Sequence, residues 1–261
     1  MHLGMMNNPK RPVITEVERI GRNGFSFVDL TMEGPQATQF DVPAVRRLLE
    51  QYGLGVIGHT DPNLPYAYPI AAVRKASLGE LERCAAAFAG VGATLMNIHP
   101  CYQCPPTMKR DLPEMNQEAL GPIADMAHGY GLRLMLENFK APFDSVTTFK
   151  KIFKAVPDLG FHLDVGHANL GGGGALNFCR VLGSKLAHVH LSDNRGREDD
   201  HMPIGAGHID WESVIPALRA TGYDDSITLE VFADTDAWAA EYLKISRAIV
   251  LSLWDAAGVR E

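Results

Sequence analysis

The chain has 261 residues, of which 46% are hydrophobic and 21% charged, and its formal net charge at pH 7 is −7. This composition is typical of a globular protein, and the acidic balance disfavours a dedicated nucleic-acid binder, which usually carries a basic surface. The length fits one α/β barrel of about 250 residues, and because no linker or composition shift divides the chain, we expect a single domain over 1–261.

Short β-rich runs alternate eight times with amphipathic stretches. We predict strands near 2–6, 26–31, 55–59, 94–99, 133–138, 160–165, 186–192 and 226–232. We predict helices near 14–23, 42–52, 77–91, 114–130, 145–155, 174–183, 211–221 and 236–257. Ser77 and Asp210 stand where helix N-caps are expected. Strands that alternate with helices imply βαβ units, and eight units in this length favour a closed (β/α)8 TIM barrel over an open doubly wound sheet.

The cysteines and the lengths of the apolar runs indicate where in the cell the protein is expected. A disulfide framework is not expected for Cys84, Cys101, Cys104 and Cys179, because the chain is not small and lacks a signal-like start. Residues 1–6 are too short for the hydrophobic region of a secretory signal. No apolar run approaches the roughly 18 residues of a membrane-spanning helix. We therefore expect a cytoplasmic protein.

Four predicted strands end on metal-binding side chains, namely Glu137, Asp164, His190 and Glu230. The carboxyl ends of parallel strands meet at one end of a barrel, so we expect these side chains to lie close together. Three carboxylates and one imidazole suit a divalent metal. The alternative interpretation is a set of salt-bridged barrel residues, since a buried carboxylate requires compensation by a metal or an arginine.

Further polar residues stand near the same strand ends. His59 and His99 end the third and fourth predicted strands, and His167 follows Asp164 by three positions. The segment after the seventh strand is long, polar and rich in glycine, as active-site loops are. It carries two pairs of interest, the possible metal ligands Asp199 and His201 and the possible phosphate- or carboxylate-binding residues Arg195 and Arg197.

Four sequence blocks carry a resemblance to a known superfamily: Leu-Glu-Asn, Asp-Val-Gly-His, His-Leu-Ser-Asp and Gly-Ala-Gly-His-Ile-Asp-Trp. The chain resembles the xylose isomerase-like TIM barrels, which include sugar isomerases and epimerases and the AP endonuclease 2 (endonuclease IV) group. The resemblance covers nearly the whole chain, and its blocks are specific to the superfamily rather than to one member.

Resemblance to the ketose 3-epimerase and isomerase branch implies one metal, held by the four strand-end residues described above. It also implies that Glu137 and Glu230 act as paired acid/base groups. His167 and an arginine of the loop, best matched by Arg197, would bind substrate oxygens. Arg195 and His99 are further candidates for substrate binding.

Resemblance to the endonuclease IV branch implies three zinc ions with nine ligands. All nine have counterparts here, which are His59, His99, Glu137, Asp164, His167, His190, Asp199, His201 and Glu230. Such a phosphodiesterase would use paired metals to activate water. A role on DNA would also need a basic surface, which the net charge argues against.

The isomerase interpretation is chemically direct. A divalent Mn, Mg or Co ion would polarise a carbonyl and stabilise an enediolate, while one carboxylate removes the neighbouring proton and the other returns it. A sugar-acid or keto-cyclitol dehydratase would share these steps. We expect a small sugar or sugar phosphate as the substrate, no nucleic-acid or membrane partner, and an oligomer contact as one use of the apolar last helix.

Overall fold

Eight parallel strands form one closed barrel, in which they follow one another in chain order. The structure is a computed structural model that describes residues 1–34, 39–233 and 235–258, so the other positions of the predicted domain 1–261 lie outside the described residues. The strands are β1 His2–Met6, β2 Phe27–Met32, β3 Gly55–Thr60, β4 Leu95–Ile98, β5 Arg133–Glu137, β6 Gly160–Asp164, β7 Leu186–Leu191 and β8 Ser226–Leu229. The predicted TIM barrel fold is confirmed.

Helices separate the strands along the chain. Within the described ranges the α-helices are α1 Val13–Arg22, α2 Val42–Tyr52, α3 Ala71–Val91, α4 Leu112–Gly129, α5 Val146–Ala155, α6 Val165–Leu170, α7 Ala175–Leu182, α8 Trp211–Arg219 and α9 Asp236–Gly258. Short 3-10 helices lie at Pro106–Asp111 and Gly183–Lys185. None of the described helices is both long enough and apolar enough to cross a membrane.

The start of α3 differs from the prediction. The helix begins at Ala71 rather than near residue 77, so Ser77 lies inside it, where its hydroxyl donates a hydrogen bond to the Val73 carbonyl at 3.0 Å. The predicted N-cap at Ser77 was therefore wrong. The first turns of α3 are largely exposed and show no apolar periodicity, although alanine, arginine and lysine favour a helix there. The N-cap at Asp210 is confirmed, since its carboxylate accepts from the Ser213 N–H at 3.2 Å.

Packing divides the chain into two compact units. The N-terminal unit comprises Met5–Glu137 and Thr147–Gly160. The C-terminal unit comprises Met1–Gly4, Asn138–Val146 and Phe161–Glu261. The single domain stays a prediction.

In the N-terminal unit, β2, β3, β4 and β5 pair in parallel, and His59 on β3 lies opposite Asn97 on β4. Gly58, next to His59, faces the buried Phe88 of α3, and a Cβ atom added there would lie 2.3 Å from the Phe88 ring. Only glycine therefore allows α3 to pack this closely on β3. The position of His59 depends on that packing.

In the C-terminal unit, β6, β7 and β8 pair in parallel. The register places Asp164 opposite His190 and His190 opposite Thr228. Glu230 follows the last residue of β8, and its N–H donates to the Leu191 carbonyl at 3.1 Å. Three of the four predicted strand-end residues therefore share one edge of this three-stranded sheet.

Candidate metal centre

The C-terminal unit holds a buried cluster of two carboxylates and one imidazole: Asp164, His190 and Glu230. One potential ligand atom from each lies within 4.8 Å of the other two. Nδ1 of His190 lies 3.2 Å from Oε2 of Glu230 and 3.7 Å from Oδ2 of Asp164. The imidazole thus stands within reach of both carboxylates.

The backbone of Asp164 is held on two sides. The side chain of Asn138 donates from Nδ2 to the Asp164 carbonyl and accepts from the Asp164 N–H, both at 2.8 Å. Oδ1 of Asp164 accepts from the His167 N–H at 2.6 Å and so caps α6, a helix that the sequence analysis did not predict. These bonds leave Oδ2 as the oxygen that faces His190.

His167, Asp199 and His201 extend this cluster within the same unit. Nε2 of His167 lies 3.0 Å from Oδ2 of Asp199, and Nδ1 of His167 lies 3.0 Å from the Asn138 carbonyl. Nε2 of His201 lies 3.4 Å from Oδ2 of Asp199, and its Nδ1 lies 3.7 Å from Oε2 of Glu230. The structure therefore brings the predicted Asp199 and His201 pair next to His167 and Glu230.

The backbone and the charge of His201 are both unusual. Its φ is 45°, in the left-handed region that residues other than glycine adopt infrequently. Burial lowers the pKa of its imidazole, but the carboxylates of Glu230, Asp199 and Asp164 outweigh burial and raise the pKa above its ordinary value. The surroundings of His201 are thus dominated by negative charge.

The N-terminal unit holds a second group of candidate ligands. The buried Glu137 places Oε2 at 3.1 Å from Nε2 of His99 and at 3.5 Å from Nε2 of His59. The same oxygen accepts a hydrogen bond from the Asn97 side chain at 2.6 Å. The rings of His59 and His99 meet edge to face, with their centroids 5.1 Å apart. The structure therefore brings three predicted site residues together in this unit.

Two further histidines, His162 and His188, lie fully buried beside His190 in the C-terminal unit. Their rings contact the His190 ring, with centroids 4.1 Å and 5.1 Å away. Both ring nitrogens of His188 are hydrogen bonded to hydroxyl groups, at 2.8 Å to Ser226 and 3.0 Å to Thr228. Since both nitrogens already have partners, we interpret His188 as a support for His190 and not as a ligand.

The donor set of Asp164, His190 and Glu230 fits a divalent cation. Nitrogen and oxygen ligands lie about 2.0–2.2 Å from ions such as Zn²⁺, so ligand atoms that share one ion are about 3–4 Å apart. The measured separations of 3.2 and 3.7 Å around His190 Nδ1 lie in that range. Histidine and carboxylate clusters that could hold a metal are therefore present, although the donor types do not select one metal among several.

Comparison with known proteins identifies the family. The model of the xylose isomerase-like TIM barrel family matches residues 16–249. The chain belongs to this family. The match covers most of the barrel and includes every candidate site residue described above.

Relatives in this family include named isomerases and epimerases. The ketose 3-epimerase of Arthrobacter globiformis is 25% identical over 236 residues, a match that covers 84% of this chain and 77% of the relative. The inosose isomerase of Bacillus licheniformis is 25% identical over 53% of this chain and 52% of its own length. The chain thus matches about half of that isomerase. A D-tagatose 3-epimerase-like protein of known structure superposes with a TM-score of 0.83 at 25% identity, over 97% of this chain and 99% of the other.

The two predicted arginines differ from the buried candidates. Arg195 and Arg197 lie in an exposed part of the loop after β7. Arg197 lines a cavity of about 490 Å³ together with Lys140, His167 and Asp199, whereas Arg195 is absent from that lining. Of the two, Arg197 is therefore the one that shares a cavity with other candidate residues.

Sequence reasoning missed the residues that hold the candidate ligands in place. Asn138, Asn97, Asp193 and Asn194 are all fully buried and hydrogen bonded to the site segments. A signal for Asn138, Asp193 and Asn194 was present in the sequence, because these polar residues stand close after strand-end residues in Leu-Glu-Asn and His-Leu-Ser-Asp-Asn; Asn97, inside β4, had no such signal.

Proposed function

We propose that this protein is a divalent-metal-dependent sugar isomerase or epimerase that moves a proton at the carbon next to a carbonyl group. The observation that carries the proposal is the buried cluster of Asp164, His190 and Glu230, whose ligand atoms lie within 4.8 Å of one another. The named relatives, a ketose 3-epimerase and an inosose isomerase, support the same class of reaction. The substrate would be a small sugar or a sugar phosphate.

In this proposal the protein's own groups move the proton. Asp164, His190 and Glu230 would hold a divalent ion, whose positive charge would stabilise negative charge on a substrate oxygen. Glu230 is one acid/base group, because its second oxygen stays available when Oε2 is the ligand atom. Glu137 is the other acid/base group and a fourth ligand, a role that rests on its place in the sequence pattern. Positioned acid/base groups of this kind contribute about 10²–10⁴-fold to rate.

Substrate binding in the proposal uses groups that line the cavity next to His167. The guanidinium of Arg197 would donate hydrogen bonds to substrate hydroxyl or carbonyl oxygens, and His167, which lines the same cavity, would contact the substrate beside it. His99 and Arg195 remain further candidates for this role.

The test is hydrogen exchange at the substrate carbon. Purified protein is incubated in D₂O with tagatose, psicose, ribulose and their phosphates, each with added Mn²⁺, Mg²⁺ or Co²⁺, and exchange is followed by proton NMR. We expect one ketose to lose a carbon-bound proton signal while its epimer or isomer appears. Removal of metal by a chelator should stop both the proton exchange and the appearance of the product, and re-addition of the metal should restore both.

Variants at the proposed acid/base groups complete the test. Glu230→Gln and Glu137→Gln should lower the exchange rate by about 10²-fold or more, while Glu118→Gln, which changes an exposed acidic residue on α4, should leave the rate unchanged. The proposal would be overturned by undiminished exchange in both active-site variants, or by exchange that persists in fully metal-free protein.

A second candidate function is favoured by the additional ligands. His59, His99 and Glu137 lie together in one unit, and Asp199 and His201 lie beside His167 in the other. A zinc-dependent phosphodiesterase resembling endonuclease IV would use such a ligand-rich set. Elemental mass spectrometry of protein purified without added metal separates the two candidates: about one Mn, Mg or Co per chain supports the isomerase, and two or three zinc ions support the hydrolase.

A dehydratase that acts on a sugar acid or keto-cyclitol stays open on the same residues, because it begins with the same proton abstraction. Mass spectrometry of the products distinguishes it, since dehydration lowers the substrate mass by one water and isomerisation leaves the mass unchanged.

A further inference from the structure

We propose that Asp193 is a positioning residue, which fixes the loop after β7 so that His201 faces Glu230. This inference deepens the proposed function and rests on it only for its kinetic test. Asp193 lies two residues after the buried end of β7, and its side chain is fully buried. It carries no assigned role in the metal cluster.

The carboxylate of Asp193 accepts four hydrogen bonds from N–H groups between residues 194 and 211. Oδ1 accepts from the backbone of Asn194 at 2.9 Å and of Ile209 at 3.2 Å. Oδ2 accepts from the backbone of Gly205 at 2.9 Å and from the indole of Trp211 at 2.8 Å. Because each oxygen already accepts two hydrogen bonds, Asp193 is poorly placed to act as a metal ligand or a base, and it ties both ends of the loop to one point.

The glycine-rich block of the loop fits this arrangement. A Cβ atom on Gly207 would lie 2.3 Å from Oδ1 of Asp193 and 2.4 Å from the Asn194 carbonyl. Gly207 therefore allows the backbone to pass directly over the Asp193 carboxylate. The block Gly-Ala-Gly-His-Ile-Asp-Trp, which runs from Gly205 to Trp211, thus supplies three of the four donors and the space that they require.

Asp193 is linked to His201 through one residue. The backbone groups of Asp193 and Met202 exchange two hydrogen bonds, at 2.9 and 2.8 Å. The carbonyl of His201, the residue before Met202, accepts from the Phe232 N–H at 3.2 Å. These hydrogen bonds hold the peptide group that joins His201 to Met202, and the φ of His201 is 45°. A conformation as sparsely populated as this persists only where the surrounding structure imposes it.

The consequence is a defined direction for the His201 ring. Held in this way, the ring lies with Nδ1 at 3.7 Å from Oε2 of Glu230 and Nε2 at 3.4 Å from Oδ2 of Asp199. A loop released from Asp193 would let His201 relax to a common backbone conformation and turn its ring away from these carboxylates. Asp193 would then act on the chemistry through His201, without touching the substrate.

The first test replaces one oxygen of Asp193. In Asp193→Asn the side-chain NH₂ group cannot accept, so two of the four hydrogen bonds are lost. Histidine ring signals of the full-length protein are recorded by long-range ¹H–¹⁵N NMR, with the His201 signal assigned by its loss in His201→Gln. We expect the His201 and Trp211 side-chain signals to move in Asp193→Asn. In Asp210→Asn, the same substitution at a helix cap of the same loop, they should stay in place.

The second test is a double-mutant cycle on kcat/KM for the ketose identified above. Asp193→Asn and His201→Gln should each lower kcat/KM about 10- to 100-fold, as changes to ligand-orienting groups do. If Asp193 acts through His201, the double variant should be less than about threefold worse than His201→Gln alone, because coupled residues are not additive. Should Asp193→Asn fail to fold, Trp211→Phe removes one donor only and is measured in its place.

Two results would overturn the inference. One is an unmoved His201 signal in Asp193→Asn. The other is a double variant whose loss of kcat/KM equals the product of the two single losses. The NMR result does not depend on turnover. A protein with no isomerase activity but a displaced His201 ring would therefore refute the proposed function and retain the positioning role.

Discussion

The side chain of Asn138 makes a two-way hydrogen-bond pair with the backbone of Asp164, in which both donor–acceptor distances are 2.8 Å. Asn138 follows the last residue of β5, and Asp164 is the last residue of β6. A carboxylate that is to hold a cation must keep its direction when the cation leaves, because carboxylates otherwise turn toward other donors. Asn138 fixes the backbone from which the Asp164 carboxylate projects.

Replacing Asn138 with alanine should weaken metal binding more than it weakens the fold. We expect the dissociation constant for Mn²⁺ to rise about 10- to 100-fold, the usual effect of removing a group that orients a ligand. The free energy of unfolding should fall by about 1–3 kcal/mol, since two buried backbone groups lose their partners. Calorimetric titration of metal-depleted protein and denaturant unfolding measure the two effects.

The matched control is Asn23→Ala, which removes an exposed asparagine whose Nδ2 donates to the Arg19 carbonyl. It should leave the metal affinity unchanged. Equal metal affinity in the two variants would show that Asn138 has no part in orienting Asp164.

Gly166 makes room for two polar side chains next to α6. A Cβ atom at this position would lie 2.6 Å from Oγ of Ser192 and 3.2 Å from Oδ1 of Asp164. Gly166→Ala should therefore displace the Asp164 carboxylate, lowering both metal affinity and the midpoint of thermal unfolding. Adding Ser192→Ala removes the closer of the two contacts, so the double variant should regain part of the lost stability. If Gly166→Ala left both the midpoint of thermal unfolding and the metal affinity unchanged, the close packing around Gly166 would be contradicted.

The barrel was predictable from the sequence because its signal is repeated. Eight alternations of apolar strands and amphipathic helices leave few other folds, and parallel pairing brings strand ends such as Asp164 and His190 into register. Element ends were less predictable where local composition does not mark them, as at the exposed first turns of α3. The family blocks contain three of the four residues of the strand-end pattern, namely Glu137, Asp164 and His190.

The sequence could not reveal which polar residues hold the site residues in place through hydrogen bonds. Asn138, Asp193 and His188 look like ordinary polar residues in a linear sequence. Their roles depend on hydrogen bonds to residues 26, 18 and 40 positions away. The left-handed backbone of His201 was equally hidden, because it accompanies two long-range contacts, that of its own carbonyl with Phe232 and that of the next residue, Met202, with Asp193. Such contacts are set by tertiary packing.

Burial separates the cysteines into reactive and protected thiols. It raises the pKa of Cys84 to about 12 and that of Cys179 to about 11, and it also raises the pKa of Cys101. Since the thiolate is the reactive form, these three should react slowly with a thiol reagent at pH 8. Cys104 is partly exposed and should react first.

Mass spectrometry after iodoacetamide treatment for increasing times measures this order. Cys104→Ser is the control, which should remove the rapidly labelled site. Rapid labelling of Cys101 in that variant would contradict the packing around it. In urea all four thiols should react, because unfolding removes the burial that raises the pKa values of Cys84, Cys101 and Cys179.

Two glycine-to-alanine substitutions should have opposite effects on stability. At Gly58, on β3, the added methyl group would meet the Phe88 ring at 2.3 Å, so Gly58→Ala should lower the free energy of unfolding by about 1–3 kcal/mol through overpacking. At Gly79, inside α3, an added Cβ would meet no atom within 4 Å among the described residues, apart from its chain neighbours and the nearby backbone of its own helix. Gly79→Ala should therefore raise the free energy of unfolding by about 0.4–1 kcal/mol, since alanine loses less backbone freedom in a helix.

Urea unfolding of both variants, followed by circular dichroism, gives the two changes on one scale. Phe88→Leu in the Gly58→Ala background should restore part of the loss, because the smaller side chain leaves room for the methyl group. A Gly58→Ala protein as stable as the unsubstituted chain would mean that α3 can shift away from β3 at little cost. His59, the next residue on β3, would then not be held in place by this contact, and its approach to Glu137 would have to depend on other packing.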